Sequence, residues 1–404
     1  MKTVLLIGSL DTKGEEYAFA RESLRARKLS VHTMDFSVMD EPTAFVPDIS
    51  AAQVAEAGGS SLAALRKRRN RGEALDVMTA GARTLTRDMF EKGYFHGVLG
   101  FGGGGGTAVI TAAMRELPVG LPKLMVSTMA SGDVRPYVDV KDIMMMHSVV
   151  DVAGLNPISR SLILNACGAM VGILEGGRAS ESRRRKPLIA ATMFGVTTPC
   201  VAEARNRLEE RGFEVVTFHA TGTGGRAMEG LIDDGYFDGV MDVTTTEWCD
   251  EVVGGVLSAG PDRHGAAAHK GIPQVVSVGA MDMVNFGPMD SIPERFRATR
   301  KFYKHNSAVT LMRTTPEECR EIGQRMAAQL NKSKAPVVLL LPLMGVSMID
   351  EEGGPFRDAV ADQALFASLR DHCGPNVRIR EIEAAINDTE FAHALADEML
   401  AIVT

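Results

Sequence analysis

Cysteine is scarce in this 404-residue chain. Cys167, Cys200, Cys249, Cys319 and Cys373 are widely spaced and no two form a Cys-x-x-Cys pair, which argues against a disulfide framework or a zinc ribbon and predicts buried thiols. There is no surplus of basic charge either: 44 Lys and Arg against 51 Asp and Glu leave a net charge of −7, so nucleic acid is not expected as a main partner. Long apolar runs are missing. The start Val4 to Ile7 is interrupted by Asp11 and Lys13, and Val337 to Leu341 stops at Pro342, so neither a signal peptide nor a membrane-spanning helix is expected and the chain is placed in the cytoplasm. His147, His219, His264, His269 and His305 have no ligand-like spacing, and no dedicated metal site is expected.

What the chain does contain is length and alternation. At roughly 150 residues per domain, 404 residues imply two or three domains. Short β-branched runs alternate with amphipathic stretches, the pattern of βα units on parallel sheets. The pattern repeats. Lys2 to Gly8 reads as a strand, Tyr17, Ala20 and Leu24 as a helix stripe, and Leu29, Val31 and Thr33 as a second strand; 184 residues on, Leu188 to Thr192, then Val201, Ala204 and Leu208, then Phe213, Val215 and Thr217 follow the same register. The match resumes at Gly93 to Val98 against Gly235 to Val240, now at an offset of 142, so the first half carries extra residues between Asp35 and Gly93. It continues with Lys123 to Thr128 against Pro273 to Val278, and Ile143 to Met146 against Val309 to Met312, with helices opening near Pro157 and Pro316. The run Met144-Met145-Met146 reads as buried strand. The polar, basic stretch Gly176 to Lys186 reads as an exposed linker. The predicted fold is α/β: two Rossmann-like, doubly wound domains, 1–183 and 187–404, related by an internal repeat and facing across a cleft formed by the carboxyl edges of their sheets.

The strongest local signal is Gly102, Gly103, Gly104, Gly105, Gly106 and Thr107, between a strand and a helix. Consecutive glycines admit a ligand close to the backbone, and N–H groups at a helix start favour an anion, with phosphate the natural guest. No Gly-Lys-Ser/Thr closes the loop, so it is not a Walker P-loop; a ligand-free flexible loop is the bland alternative. A second element, Gly8 to Glu16, lies at the carboxyl end of the first strand, where Thr12 and Lys13 offer a hydroxyl and a cation, or where Asp11 or Thr12 simply caps a helix. A third, hydroxyl-rich loop contains Thr128 and Ser131.

In the second half, Thr244, Thr245, Thr246 and Glu247 fall opposite Gly102 to Gly105. His219 stands where the first half has Asp35, and Gly222 to Gly225, including Gly224, lead into a helix. Asp282 and Asn285 follow another strand. Hydroxyls with carboxylates suit a polar small molecule, and Glu247 or His219 is the best general-base candidate. The alternative is that Glu247 caps a helix and the threonines satisfy strand-end backbone groups.

The motifs Gly8 to Glu16, Gly100 to Thr107, His219 to Glu229, Gly279 to Gly287 and Leu341 to Ser347 together resemble the Tm-one-like ATP-binding family, which includes the N-terminal domain of a plant tobamovirus-resistance protein. The resemblance covers nearly the whole chain. It implies two Rossmann-like domains, ATP binding and a tendency to dimerise. ATP, with Mg²⁺ carried on the nucleotide, is then expected at Gly8, Asp11, Thr12, Lys13, Gly102 to Thr107, Thr128 and Ser131, and a small anionic metabolite at the second-half residues. The plant member carries a further barrel-type domain resembling phosphoenolpyruvate-hydrolase-type proteins, so a separate barrel-type protein is an expected partner. An ATP-dependent enzyme is the leading reading, and an ATP-binding regulatory or scaffold protein the alternative.

Overall fold

The computed structural model describes residues 1–176 and 186–403. The linker read at Gly176 to Lys186, with Arg183, Arg184 and Arg185, falls almost entirely outside the described residues. The chain divides into two compact units, Met1–Arg183 and Arg184–Thr404.

In the first unit, β1 (Thr3–Gly8), β2 (Ser30–Asp35), β3 (Gly97–Gly102), β4 (Lys123–Ser127) and β5 (Met144–His147) form one parallel sheet in the order β2-β1-β3-β4-β5. Val4, Leu5, Leu6 and Ile7 are all fully buried, as a strand covered on both faces requires. Their side chains alternate. Leu5 and Ile7, with Val98 and Met125, pack with Val54, Met78, Ile110 and Met114, while Val4 and Leu6, with Leu99 and Leu124, pack with Tyr17, Leu24, Ile163 and Met170. The extra segment between β2 and β3 folds into three helices, Ala51–Ala57, Leu62–Arg68 and Arg71–Glu91. Helix Pro157–Glu175 is, by length and composition, the one helix among the described residues apolar enough to cross a membrane; its Ile163, Ala166, Met170 and Leu174 belong to the second of these cores.

Gly8 has a steric reason to be glycine. A Cβ there would lie 2.1 Å from the Tyr17 ring. The Tyr17 hydroxyl donates to the Ile7 carbonyl at 2.5 Å and accepts from the Phe101 amide at 2.8 Å, tying together the carboxyl ends of β1 and β3.

The second unit repeats the plan. β6 (Leu188–Met193), β7 (Glu214–His219), β8 (Gly239–Thr244), β9 (Gln274–Gly279), β13 (Val337–Pro342) and β14 (Val377–Ile382) form a parallel sheet in the order β7-β6-β8-β9-β13-β14. β10 (Met283–Phe286), β11 (Phe302–Lys304) and β12 (Thr310–Arg313) form a separate antiparallel sheet. Two expectations are corrected. The segment Val309 to Met312 is not the counterpart of Ile143 to Met146, because β12 pairs antiparallel with β10 and β11, and β13 takes the place beside β9 that β5 holds beside β4. The methionine run is not a buried strand: β5 is the edge of its sheet, and Met144 is 39% exposed. Four cysteines are buried and free, and Cys373 is half-buried.

Candidate functional site

The strand order β2-β1-β3-β4-β5 reverses direction between β1 and β3, and open α/β sheets bind ligands in the crevice at that switch point. The loops leaving β1 and β3 are Gly8 to Lys13 and Gly102 to Thr107. The helix after β3 begins at Gly104, four residues earlier than the apolar pattern places it, and spans Gly104–Arg115. Its N-cap is Gly103, and no side chain caps it. The amides of Gly104, Gly105 and Gly106 therefore point beyond the helix end without a protein acceptor among the described residues.

The glycines in this run are not demanded by the fold. None of Gly102 to Gly106 has a positive φ. A Cβ on Gly103, Gly104, Gly105 or Gly106 would meet its nearest neighbours at 3.7, 3.8, 3.7 and 4.0 Å, ordinary contact distances. Only Gly102 is tight, 3.3 Å from the Gly106 Cα. Thr107 is used internally: it is fully buried, its hydroxyl donates to the Gly103 carbonyl at 2.8 Å and lies 2.6 Å from Ser127 Oγ. Thr128 reaches the loop, its Oγ1 3.7 Å from the Cβ position of Gly103, and Ser131 is exposed.

The β1 loop starts helix Leu10–Ala26 with Ser9 at the N-cap, so neither Asp11 nor Thr12 caps it. Asp11 accepts from Ser9 Oγ at 2.8 Å, Thr12 is exposed, and Lys13, in a non-helical conformation, donates through Nζ to the Val152 carbonyl. Sequence reasoning missed three residues here. Asp35, at the end of β2, is 1% exposed; its Oδ1 accepts from the amides of Leu10 and Ser37 at 3.1 and 2.9 Å, and its Oδ2 has no partner. Burial pushes the Asp35 carboxyl above the usual range. Phe36 lies 4.0 Å from the Cβ position of Gly106, and Arg71 Nη2 lies 3.9 Å from that of Gly105.

The second unit closes the equivalent edge from within. Thr244 Oγ1 lies 2.8 Å from Thr197 Oγ1, Thr245 donates to the Ser277 carbonyl at 2.8 Å, and Thr246 to the Met283 carbonyl at 3.2 Å. Glu247 is 1% exposed. Its Oε1 accepts from the Gly222 and Gly225 amides at 2.6 and 3.1 Å, and its Oε2 from Arg263 Nε at 2.8 Å. The carboxylate thus caps helix Thr223–Asp233 rather than the helix it opens, and proton transfer by it would require leaving Arg263. Gly222 has φ +79°, and a Cβ on Gly224 would sit 1.8 Å from the His219 carbonyl oxygen, so this glycine turn, unlike the first, is required by packing. Arg263 also binds Asp242 through both terminal nitrogens at 2.6 and 2.8 Å; burial opposes the Asp242 charge, but Arg263 outweighs it and holds that carboxyl well below the usual range.

His219 is exposed and stacks on Phe194, ring centroids 5.2 Å apart. Asp282 and Asn285 are buried and do not share partners: Ser347 Oγ donates to Asp282 at 2.9 Å, whereas Asn285 Nδ2 donates to Asp250 at 2.7 Å. Burial pushes Asp282 up to about 6 and Asp250 up to about 7. No spacing rule in the sequence pairs Arg263 with Asp242 or Asp250 with Asn285. Among the described residues no group of three or more His, Cys, Asp or Glu side chains is arranged to hold a metal ion.

Fold and site define a protein of two Rossmann-like α/β domains, the first of which presents an uncapped, glycine-lined helix start at its switch point. The chain belongs to the UPF0261 family, an uncharacterised protein family: its N-terminal domain matches residues 2–179 and its C-terminal domain residues 186–403. A UPF0261 protein of Clostridium tetani is 49% identical over 99% of this chain and 98% of its own length. The ToMV resistance protein Tm-1(GCR237) of Solanum lycopersicum is 38% identical over 99% of this chain, which spans 55% of that longer protein. A putative UDP-N-acetylglucosamine 2-epimerase from Listeria monocytogenes, covering 95% of this chain and 99% of its own, is 12% identical with a TM-score of 0.23, too low to carry an argument.

Proposed function

We propose that the first unit binds ATP, with Mg²⁺ carried on the nucleotide and the phosphate chain on the Gly104, Gly105 and Gly106 amides. The observation that carries this reading is the glycine run itself. Gly103 to Gly106 have an unstrained φ and room for a side chain, yet glycine in a helix is disfavoured by about 1 kcal/mol against alanine, so close approach by a ligand is the remaining reason for Gly104 to Gly106. Phosphate suits the positive end of the helix dipole. Titration of the full chain with Mg·ATP should give heat of binding and a raised melting temperature; neither signal at millimolar nucleotide would refute the proposal.

The further step is an ATP-dependent enzyme acting on a small anionic metabolite at the second unit. The hydroxyls of Thr244 to Thr246 and the carboxylate of Glu247 are engaged by protein groups, which favours the second reading, an ATP-binding regulatory or scaffold protein. Turnover of ATP by the purified chain, alone, with small acids, or beside a phosphoenolpyruvate-hydrolase-like barrel protein, separates the two. The resemblance adds a cytoplasmic homodimer, for which light scattering should give twice the 43.4 kDa chain mass.

A further inference from the structure

Helices Arg71–Glu91 and Gly104–Arg115 run parallel with their amino ends together. Arg71 and Leu75 touch the Gly105 position, while Arg83 and Arg87 reach Glu116, just past the end of the second helix, at 2.6 and 3.5 Å. Two positive helix ends are thus side by side, and to them is added the exposed guanidinium of Arg71, at the first position of its own helix, where the dipole disfavours a cation. Glu73, the acidic residue of that first turn, is bound by Arg68. Arg71 itself has no carboxylate within ion-pair distance among the described residues. The repeat supplies a comparison within the chain. Gly105 occupies the register position of Glu247, and in the second unit that carboxylate is held by an arginine and two amides at a helix start. In the second unit a carboxylate at this register position reaches an arginine and the start of a neighbouring helix, whereas the first unit has glycine there, with the free amides of its own helix and Arg71 beside it.

A further group marks the other end of the crevice. Asp35 Oδ2 is buried and has no donor, and β1 alone separates β2 from β3, so Asp35 and the glycine loop are about two strand spacings, roughly 10 Å, apart along the edge. A nucleotide laid along it brings sugar hydroxyls to the carboxylate and phosphates to the glycines.

We propose that Arg71, contributed by the segment that only the first unit carries, grips the terminal phosphates of the bound nucleotide and lets the site tell a triphosphate from a monophosphate. This rests on the ATP reading above. The test is calorimetric titration of the full chain with Mg·ATP, AMP and inorganic tripolyphosphate. Arg71→Ala should weaken ATP and tripolyphosphate by about 10- to 100-fold, the equivalent of one charge-assisted contact, and AMP by less than about 2-fold, with Arg71→Lys recovering part of the loss. Asp35→Asn, nearly isosteric, should weaken ATP and AMP alike and leave tripolyphosphate unchanged. The melting temperature of Arg71→Ala should stay at the wild-type value, because the side chain is exposed. Wild-type protein that binds ATP, with an Arg71→Ala variant of the same ATP-to-AMP preference, overturns the assignment of Arg71 alone. Wild-type protein that binds neither ATP nor tripolyphosphate overturns the nucleotide reading and this one together.

Discussion

Replacing Gly105 by alanine should make the protein more stable and worse at binding. Gly105 is the second residue of helix Gly104–Arg115, and a Cβ there would lie 3.7 Å from Leu75 Cδ2 and 3.9 Å from Arg71 Nη2, clear of any clash. The backbone already has a helical sign of φ, so alanine removes conformational freedom from the unfolded chain and adds about 0.5–1 kcal/mol of stability. For a unit of this size that is an increase of about 1–4 °C in its melting temperature. The new methyl group stands where an anion must approach to within about 2.9 Å of the amide nitrogens. Losing one charge-assisted hydrogen bond, worth about 1.5–3 kcal/mol, weakens Mg·ATP about 10- to 100-fold. Gly224→Ala provides the control, because its Cβ would lie 1.8 Å from the His219 carbonyl oxygen and overpacking costs about 1–3 kcal/mol or more. Scanning calorimetry and ATP titration of both variants measure the contrast. A lowered melting temperature for Gly105→Ala would show the glycine to be structural, and unchanged ATP affinity would show that nothing approaches it.

Glu247→Gln turns an amide toward Arg263 Nε in place of a carboxylate oxygen, and breaking one side of a buried ion pair costs up to about 3–5 kcal/mol. The second unit should melt earlier while ATP affinity holds; lost turnover at an unchanged melting temperature would instead make Glu247 catalytic. Asp282, Asp350 and Asp362 surround Arg313, with Arg357 beside them, and burial, aided by the neighbouring carboxylates, pushes them up to about 6, 6 and 7. Folded carboxyls that hold protons which the unfolded chain would release contribute stability that is fully present below the ordinary carboxylate range and is lost as pH rises through their folded values, so stability should fall between about pH 4 and 7. Asp282→Asn should flatten that slope of melting temperature against pH, and an unaltered slope would refute the assignment.

The parts of the molecule legible in the sequence are those set by neighbours along the chain. β1 is a continuous apolar run because helices cover both its faces, and helices Pro157–Glu175 and Pro316–Leu330 begin where Asn156 and Thr315 form capping boxes ahead of a proline. The match of Val309 to Met312 with Ile143 to Met146 failed because an apolar tetrapeptide does not reveal whether its partner runs parallel or antiparallel. Glu247 failed differently. Its position at a strand end was right, but its availability depended on Arg263, 16 residues on, and on amides 22 and 25 residues back, and nothing local encodes such a convergence. Arg71 is invisible for a third reason: the repeat points only to positions present in both halves, and Arg71 lies in a segment with no counterpart in the second. A repeat therefore exposes the residues that duplication kept or exchanged, such as Gly105 against Glu247, and conceals those that one copy added. In a duplicated scaffold the added segment is the place to seek what distinguishes the two halves, and here it brings the Arg71 guanidinium beside the uncapped helix start at Gly104.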